Sequence, residues 1–443
     1  MEPVVLKELL LLEDLSPAIE AVPSLHPADV AEGLKDVPFE QQLRFINLLT
    51  SERAAEILQA MEVNEAAEIL NGLEENQAAE ILKHMFTDEA ADVLGELPEE
   101  DSEKLIALME EAGEEVRELL AYEEDTSGGL MSTEFITVQE GQRVGEVLAF
   151  LRKQAPSTEN AYYLYVVNQA GVLTGVVSLR DLVISPLTTK IGTIMKKEVI
   201  SVPEDMDQEE VARLFEKYGF LALPVVDMDK KLVGVITVDD VLDVAVEEVT
   251  EDIHKSASIT PLETGYTDAG VWTLFSKRIL WLVGLILANL VSSGIIAAYE
   301  KVLASTITLV AFIPLLIGTG GNTGSQSATL IIRALVTGDV KLAEWGRVFL
   351  KELFVGICLG LVLGAAGTGL GVFRGGPEVG LVIGLTMLAI VVVSNLIGMS
   401  LPFILTVLRM DPAVASSPLI TTISDASGLV IYFTIASHIL RLQ

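Results

Sequence analysis

Apolar residues recur three to four positions apart through the first 122 residues. Within that stretch Ala-Ala stands at 54–55, 66–67, 78–79 and 90–91, in copies reading AAEILQAM, AAEILNGL, AAEILKHM and AADVLGEL. Each copy predicts one short amphipathic helix. One such helix cannot bury its stripe alone, so the 12-residue repeat predicts a stacked helical superhelix. The Asn and Asp residues of the intervening EVN, EEN and FTD segments are expected to cap the helices. The period then changes. YVVNQAGVLTGVVSLRDL (165–182) and PVVDMDKKLVGVITVDDV (224–241) superpose with an offset of 59, each reading strand, turn, strand, helix. Upstream, FITVQEGQRVGEVLAFLRK and VISVPEDMDQEEVARLFEK correspond with an offset of 64. The first copy is therefore expected to carry five extra residues, placed around 154–160. Five apolar stretches follow at roughly 278–298, 304–335, 346–373, 379–408 and 412–440. Each is long enough to cross about 30 Å of hydrocarbon.

Charge divides along the same line. Residues 265–443 hold ten Lys/Arg and eight Asp/Glu, whereas residues 1–264 hold 19 Lys/Arg and 55 Asp/Glu. The overall net charge of −34 thus belongs to the first region. Acidity at this level repels nucleic acid and anionic lipid and attracts cations, although it also serves plain solubility. The opening MEPVVLKELLLLEDL has no basic n-region or cleavage site, so the acidic region is expected in the cytoplasm. Lys277, Arg278, Arg333, Lys341, Arg347, Lys351 and Arg409 then fall on the inner side, and Lys301, Arg374 and Arg441 outside, as the positive-inside rule requires. The single cysteine, Cys358, allows no disulfide within the chain, and the four histidines show no zinc spacing. A membrane-bound enzyme of nucleotide metabolism is the rival of a different class. No nucleophile, general base or metal-binding His cluster supports it, and the chain reads as not an enzyme.

Several residues stand out against this background. Asp88 and Asp92 lie one helical turn apart, either on a solvated face or in a cation site shared with a neighbouring domain. In DVAVEEVTEDIHK (243–255), Glu247/Glu251 and Glu248/Asp252 are i,i+4 pairs of like charge. Such pairs destabilise a free helix, and a divalent cation reverses the sign; an ordinary linker helix is the alternative. IGTGGNTGSQSATL (317–330) places Gly318, Gly320, Gly321 and Gly324 with Asn322, Ser325 and Gln326 inside the second apolar stretch. It reads as interrupted backbone lining a wet cavity, or as glycine-mediated helix packing. Asp425 lies inside the fifth stretch, where an acid is costly and marks a functional site by default. Magnesium keeps several of its waters, which suits carboxylates and carbonyls acting on a hydrated ion. Pro402 and Pro418 are expected to kink the last two helices.

The duplicated α/β unit resembles a tandem pair of CBS domains. That resemblance implies adenine-nucleotide binding, ATP included, with Asp181 on the ribose, Ser178 near the phosphates and Arg180 adding a cation; a purely structural module is the alternative. Taken with GTGGNTGSQSATLIIRAL and SDASGLVIY, the order of regions resembles the MgtE family of magnesium channels over essentially the whole chain. The fold class is then multidomain: an all-α superhelical N domain (1–122), an α/β tandem CBS pair (123–243), an acidic connecting or plug helix (244–275) and an all-α membrane domain of five transmembrane helices (276–443). The resemblance implies a homodimer in the lipid of the cell inner membrane, with a pore on the two-fold axis. Gly321, Asn322 and Ser325 would line it and Asp425 would be its acid. It further implies regulatory magnesium sites at Asp88, Asp92, Asp207, Glu209, Asp240, Asp243, Glu248, Glu251, Asp252 and Asp411. Gly219 and Ser325 depart from the family pattern, where an acid and a second pore Asn are expected. The implied activity is magnesium uptake shut off by cytoplasmic magnesium, with transport of another divalent cation such as cobalt or manganese as the alternative. Asp411 is expected within reach of Glu251, so that an ion between them would lock the gate.

Overall fold

A computed structural model describes residues 3–12, 14–35, 37–154, 162–262, 266 and 269–441. The five-residue insertion expected around 154–160 falls almost wholly outside the described residues. The chain forms two compact units, residues 1–246 and 247–443.

The first unit opens with ten α-helices among the described residues: α1 Pro3–Leu10, α2 Ser16–Ala21, α3 Pro27–Leu34, α4 Phe39–Asn47, α5 Ser51–Leu58, α6 Val63–Gly72, α7 Glu75–Leu82, α8 Thr87–Gly95, α9 Glu99–Met109 and α10 Glu111–Leu119. The Ala-Ala repeat falls on α5 to α8, and all eight alanines are buried. Each helix packs on the one two places along, α3 on α5, α5 on α7 and α7 on α9, with α4, α6, α8 and α10 forming the second row. Paired alanines allow that stacking because a methyl group is the largest side chain that keeps the helices close. The capping differs from expectation. The N-caps of α6, α7 and α8 are Glu62, Glu74 and Phe86, none with a side-chain cap bond. Asn64, Asn76 and Asp88 sit two residues further in, within the first turn. At Asp88 this places a carboxylate against the positive end of α8.

The α/β part consists of β1 Thr137–Val138, α11 Val144–Gln154, β2 Tyr163–Val167, β3 Leu173–Ser178, α12 Leu179–Ile184 and α13 Ile191–Ile194, then β4 Val202–Pro203, α14 Gln208–Tyr218, β5 Ala222–Val226, β6 Leu232–Thr237 and α15 Val238–Ser256. Each copy is a three-stranded sheet, the first pair parallel and the second antiparallel. Registers repeat at the predicted offsets: Tyr163 faces Ser178 as Ala222 faces Thr237, and Val138 faces Val166 as Val202 faces Val225. Single β-bridges also tie the copies together. Ser132, before the first copy, bridges Val235 of the second, and Lys196, before the second, bridges Val176 of the first. The second copy shares its core with the helical domain, through Val202, Val211, Leu223 and Ile236. The first copy keeps a separate core around Val147, Leu164 and Val177.

In the second unit, α16 Val271–Ala298, α18 Ile313–Val336, α19 Trp345–Gly375, α20 Pro377–Val407 and α21 Ser417–Ile439 are the helices of five segments long and apolar enough to cross a membrane; α17 Glu300–Ser305 is a short connection. No residue of α16 is buried by the rest of the chain. Helices α19 and α20 form a hairpin turning on Gly376, whose φ of +84° lies where other residues are strained. Gly356, Gly360, Gly364, Gly367 and Gly371 line one buried stripe of α19. A Cβ at Gly364 would come within 2.9 Å of the Gly384 carbonyl, so the two backbones touch. Small residues at such a seam provide the van der Waals contact that holds helices together in lipid.

Two readings change here. The glycine-rich segment is not interrupted: it runs as regular helix inside α18, Ile313–Val336. A Cβ at Gly320 would lie 2.6 Å from Ile390, at Gly321 2.8 Å from Thr421, and at Gly324 2.9 Å from Ile420. These glycines let α20 and α21 close on α18, the packing alternative. Pro402 lies inside α20, whereas Pro418 occupies the first turn of α21, where it starts a helix instead of kinking one.

Candidate cation sites and membrane pathway

Helix α8 meets the CBS-like pair through Thr87, whose hydroxyl lies 2.9 Å from that of Thr133 and accepts its backbone N–H at 3.2 Å. That contact sets Asp88 beside the start of α15. Asp88 Oδ1 is buried without a hydrogen-bond partner. Burial pushes its carboxyl up to about 6; backbone N–H groups oppose the rise, and the charges of Asp92 and Asp239 add to it. Asp240 is pushed up to about 7 by burial, then by Asp88, against the pull of Thr237. The Thr237 hydroxyl donates to Asp240 Oδ2 at 2.6 Å. Glu134 also stands at about 7, from burial and from the charges of Asp88 and Glu115, and its Oε2 is buried without a partner. Asp243 is raised by burial, Asp239 and Glu62.

The structure thus brings Asp88, Asp92 and Asp240 into one electrostatic cluster and adds Asp239 and Glu134, which the pattern did not single out. Three acids held partly protonated near neutrality are short of positive charge, and a divalent ion would supply it. Among the described residues, no three His, Cys, Asp or Glu side chains are placed to hold a metal ion together.

Asp207 and Glu209 lie elsewhere, with local roles. Asp207 caps α14 by accepting from the Glu209 N–H at 2.9 Å, and Glu209 pairs with Arg213. Gly219 closes α14 with a φ of +64°, a left-handed helix end that favours glycine. Ser178 and Asp181 are bonded to each other: the hydroxyl donates to Asp181 Oδ2 at 2.7 Å and accepts the Asp181 N–H at 3.1 Å. Arg180 beside them is exposed.

In the second unit, Glu251 and Asp411 come together as expected, with a lysine between them. Lys255 Nζ stands 2.7 Å from each carboxylate. Glu248 and Asp252 lie half-buried on the same helix.

Asp425 is half-buried on α21, its Oδ1 enclosed without a partner next to the buried Ser424. On α18, Gly321 is buried against α21, Ser325 is half-buried and Asn322 is exposed on this chain's surface. A second acid among the spans escaped the sequence reading. Glu352 on α19 accepts from the Ser327 hydroxyl of α18 at 3.0 Å and from Asn395 Nδ2 of α20 at 2.8 Å. Three helices meet on that carboxylate. Its position inside the third apolar stretch, next to Lys351, was the available clue.

Comparison with known proteins follows the same divisions. Residues 25–125 match the MgtE intracellular N domain, 127–186 and 191–247 match CBS domains, and 313–435 match the MgtE divalent cation transporter domain. The magnesium transporter MgtE of Thermus thermophilus is 45% identical over 98% of this chain and 98% of its own length. The chain belongs to the MgtE family. The Enterococcus faecalis MgtE is 40% identical over 75% of this chain and 73% of that protein. A crystal structure of the cytosolic domain of the Mg2+ channel MgtE in complex with ATP superposes with a TM-score of 0.52 at 42% identity, covering 55% of this chain and 99% of that one. The soluble part of another magnesium transporter gives 0.52 at 35% identity, covering 56% and 97%. As an MgtE protein, this chain is a multi-pass membrane transporter rather than an enzyme, with a CBS pair in its soluble region.

Proposed function

We propose that this protein is a homodimeric magnesium channel of the cell inner membrane, shut by magnesium acting on its own cytoplasmic domains. The observation that carries the reading is Asp425. A carboxylate inside an apolar helix costs about 2.5–3.5 kcal/mol near mid-bilayer, and one of its oxygens is enclosed without a partner. Two such groups facing across a dimer axis form an acceptor for a hydrated divalent ion, with Asn322 and Ser325 adding oxygens. The permeant ion is taken as magnesium because the relatives bear that name.

The working parts follow the divisions 1–122 (helical sensor), 123–243 (CBS pair), 244–275 (connector) and 276–443 (pore). At low magnesium the acids around Asp88 and Asp240 repel one another and loosen the contact between α8 and the CBS pair. At high magnesium, ions at Asp88, Asp92, Asp240 and Asp243, and along Glu248, Glu251 and Asp252, stabilise the compact state by mass action. Asp207 and Glu209 would contribute further ions at the second copy. The CBS pair would take ATP at Ser178, Arg180 and Asp181, once Asp181 exchanges its bond to Ser178 for the ribose.

Asp425→Ala should abolish magnesium uptake into liposomes while leaving the protein dimeric by size-exclusion chromatography with light scattering. Uptake at the wild-type rate by a folded mutant removes the pore assignment.

A further inference from the structure

On α18 the hydroxyls of Thr319, Thr323 and Thr329 bond back to carbonyls of their own helix, those of Leu315, Thr319 and Ser325. Ser327 differs. Its hydroxyl leaves the helix and donates to Glu352 Oε2 of α19 at 3.0 Å. Asn395 Nδ2 of α20 donates to the same oxygen at 2.8 Å and to the Glu352 backbone carbonyl at 2.8 Å. Ser327 and Asn395 are both buried. Hydrogen bonds to an ionised acceptor are the strong ones. The glycine contacts of α18 set how closely α20 and α21 approach it, but van der Waals contact has little direction and resists rotation weakly. The bond to Glu352 is directional. Ser327 stands two positions after Ser325, about 200° round the helix, so it holds α18 from the side opposite Ser325. The Ser325 hydroxyl itself makes a long contact, 3.5 Å to the Ser417 carbonyl.

We propose that Glu352 is a positioning residue for ion conduction: through Ser327 it fixes the rotation of α18, and with it the direction in which Asn322 and Ser325 face. The role rests on the reading of α18 as a pore-lining helix. Glu352 does not touch the ion. Its two bonds from Asn395 tie it to α20, and the close seam between α19 and α20 makes that pair a fixed post. Ser327 is the end that can move. Without the bond α18 is free to turn. A turn of about 20° carries an oxygen about 5 Å from the helix axis through roughly 2 Å, which misplaces it around a hydrated ion. What the role needs at residue 352 is an acceptor oxygen in this place, and the negative charge is dispensable.

Single-channel recording of the full-length protein in liposome patches tests this, because a smaller folded fraction does not move a single-channel conductance. Magnesium conductance in Glu352→Ala should fall roughly tenfold, the scale of one hydrogen bond to a charged group. Ser327→Ala, a change of one oxygen, should lower it by a smaller factor. The double variant should match Glu352→Ala, because Ser327 acts through Glu352. Glu352→Gln keeps the acceptor oxygen and should conduct as wild type. Wild-type conductance in both alanine variants, losses that multiply in the double variant, or a loss in Glu352→Gln equal to that in Glu352→Ala overturns the role. A second readout does not need a current. With Cys358→Ser as background, Ser325→Cys gives one thiol on α18, and its rate of reaction with a water-soluble thiol reagent reports where position 325 faces. Glu352→Ala should alter that rate and Glu352→Gln should leave it unchanged; an unchanged rate in Glu352→Ala also overturns the role. If the thiol rates follow this pattern while the wild type carries no magnesium current, the tie on α18 stands and the pore reading falls.

Discussion

Two acids inside the membrane spans have opposite environments. Glu352 has its partners: Ser327 and Asn395 both donate to Oε2, and Asn395 donates also to the Glu352 backbone carbonyl at 2.8 Å. Asp425 keeps an enclosed oxygen with none. A partnered acid ties helices together, whereas an unpartnered one is available to a ligand. Glu352→Gln retains an acceptor and should keep thermal stability close to wild type in detergent. Glu352→Ala leaves two buried donors short of their acceptor and should cost about 1–3 kcal/mol, read as a lowered melting temperature. A melting temperature equal to wild type in Glu352→Ala denies the residue its structural role. Asp425 was legible in the sequence because it lies deep within an apolar run. Glu352 was not, because Ser327 and Asn395 are 25 and 43 residues away and only tertiary packing brings them to it.

Among the elements, α18 shows how composition alone misleads. Four glycines in seven residues lower helix propensity by up to about 1 kcal/mol each relative to alanine, which favours reading the segment as broken. The helix survives because what glycine loses in propensity it recovers in close packing. Gly398 of α20 makes the point: a Cβ there would meet the Gly324 carbonyl at 2.0 Å, backbone against backbone. Gly318, by contrast, has open space around its Cβ position. Gly398→Ala should therefore destabilise the membrane unit by about 1–3 kcal/mol, and Gly318→Ala should be neutral or mildly stabilising. Thermal unfolding of the two variants in the same detergent distinguishes them. Equal effects would mean that the seam is not tightly packed. Elsewhere the periodicity was a sound guide. The Ala-Ala repeat and the 59- and 64-residue offsets survive in the helices and registers, because each reflects a local unit repeated in the chain. Helix caps were less legible, since a residue in the first turn and an N-cap differ by only a position or two.

For the whole molecule, the decisive feature is where charge collects. The sequence located the acidic half and the neutral half, but not which acids meet. Asp239 and Glu134 joined the cluster only once α8 was packed on the CBS pair. Folding holds Asp88, Glu134 and Asp240 at about 6, 7 and 7, against about 4 in the unfolded chain. Between those limits the folded unit binds more protons than the unfolded one, so its stability falls as pH rises from about 4 to about 7 and levels above. Thermal unfolding of residues 1–246 without divalent ions should follow that course, and magnesium should reduce the fall near pH 7. Stability that rises over the same range would contradict the burial of these acids. The most direct test of the account as a whole is current through the purified full-length protein in liposome patches, with magnesium on the cytoplasmic side varied. The account predicts a magnesium current that is suppressed as cytoplasmic magnesium rises into the millimolar range. A current that persists unchanged at high cytoplasmic magnesium, or no magnesium current at any concentration, would contradict it.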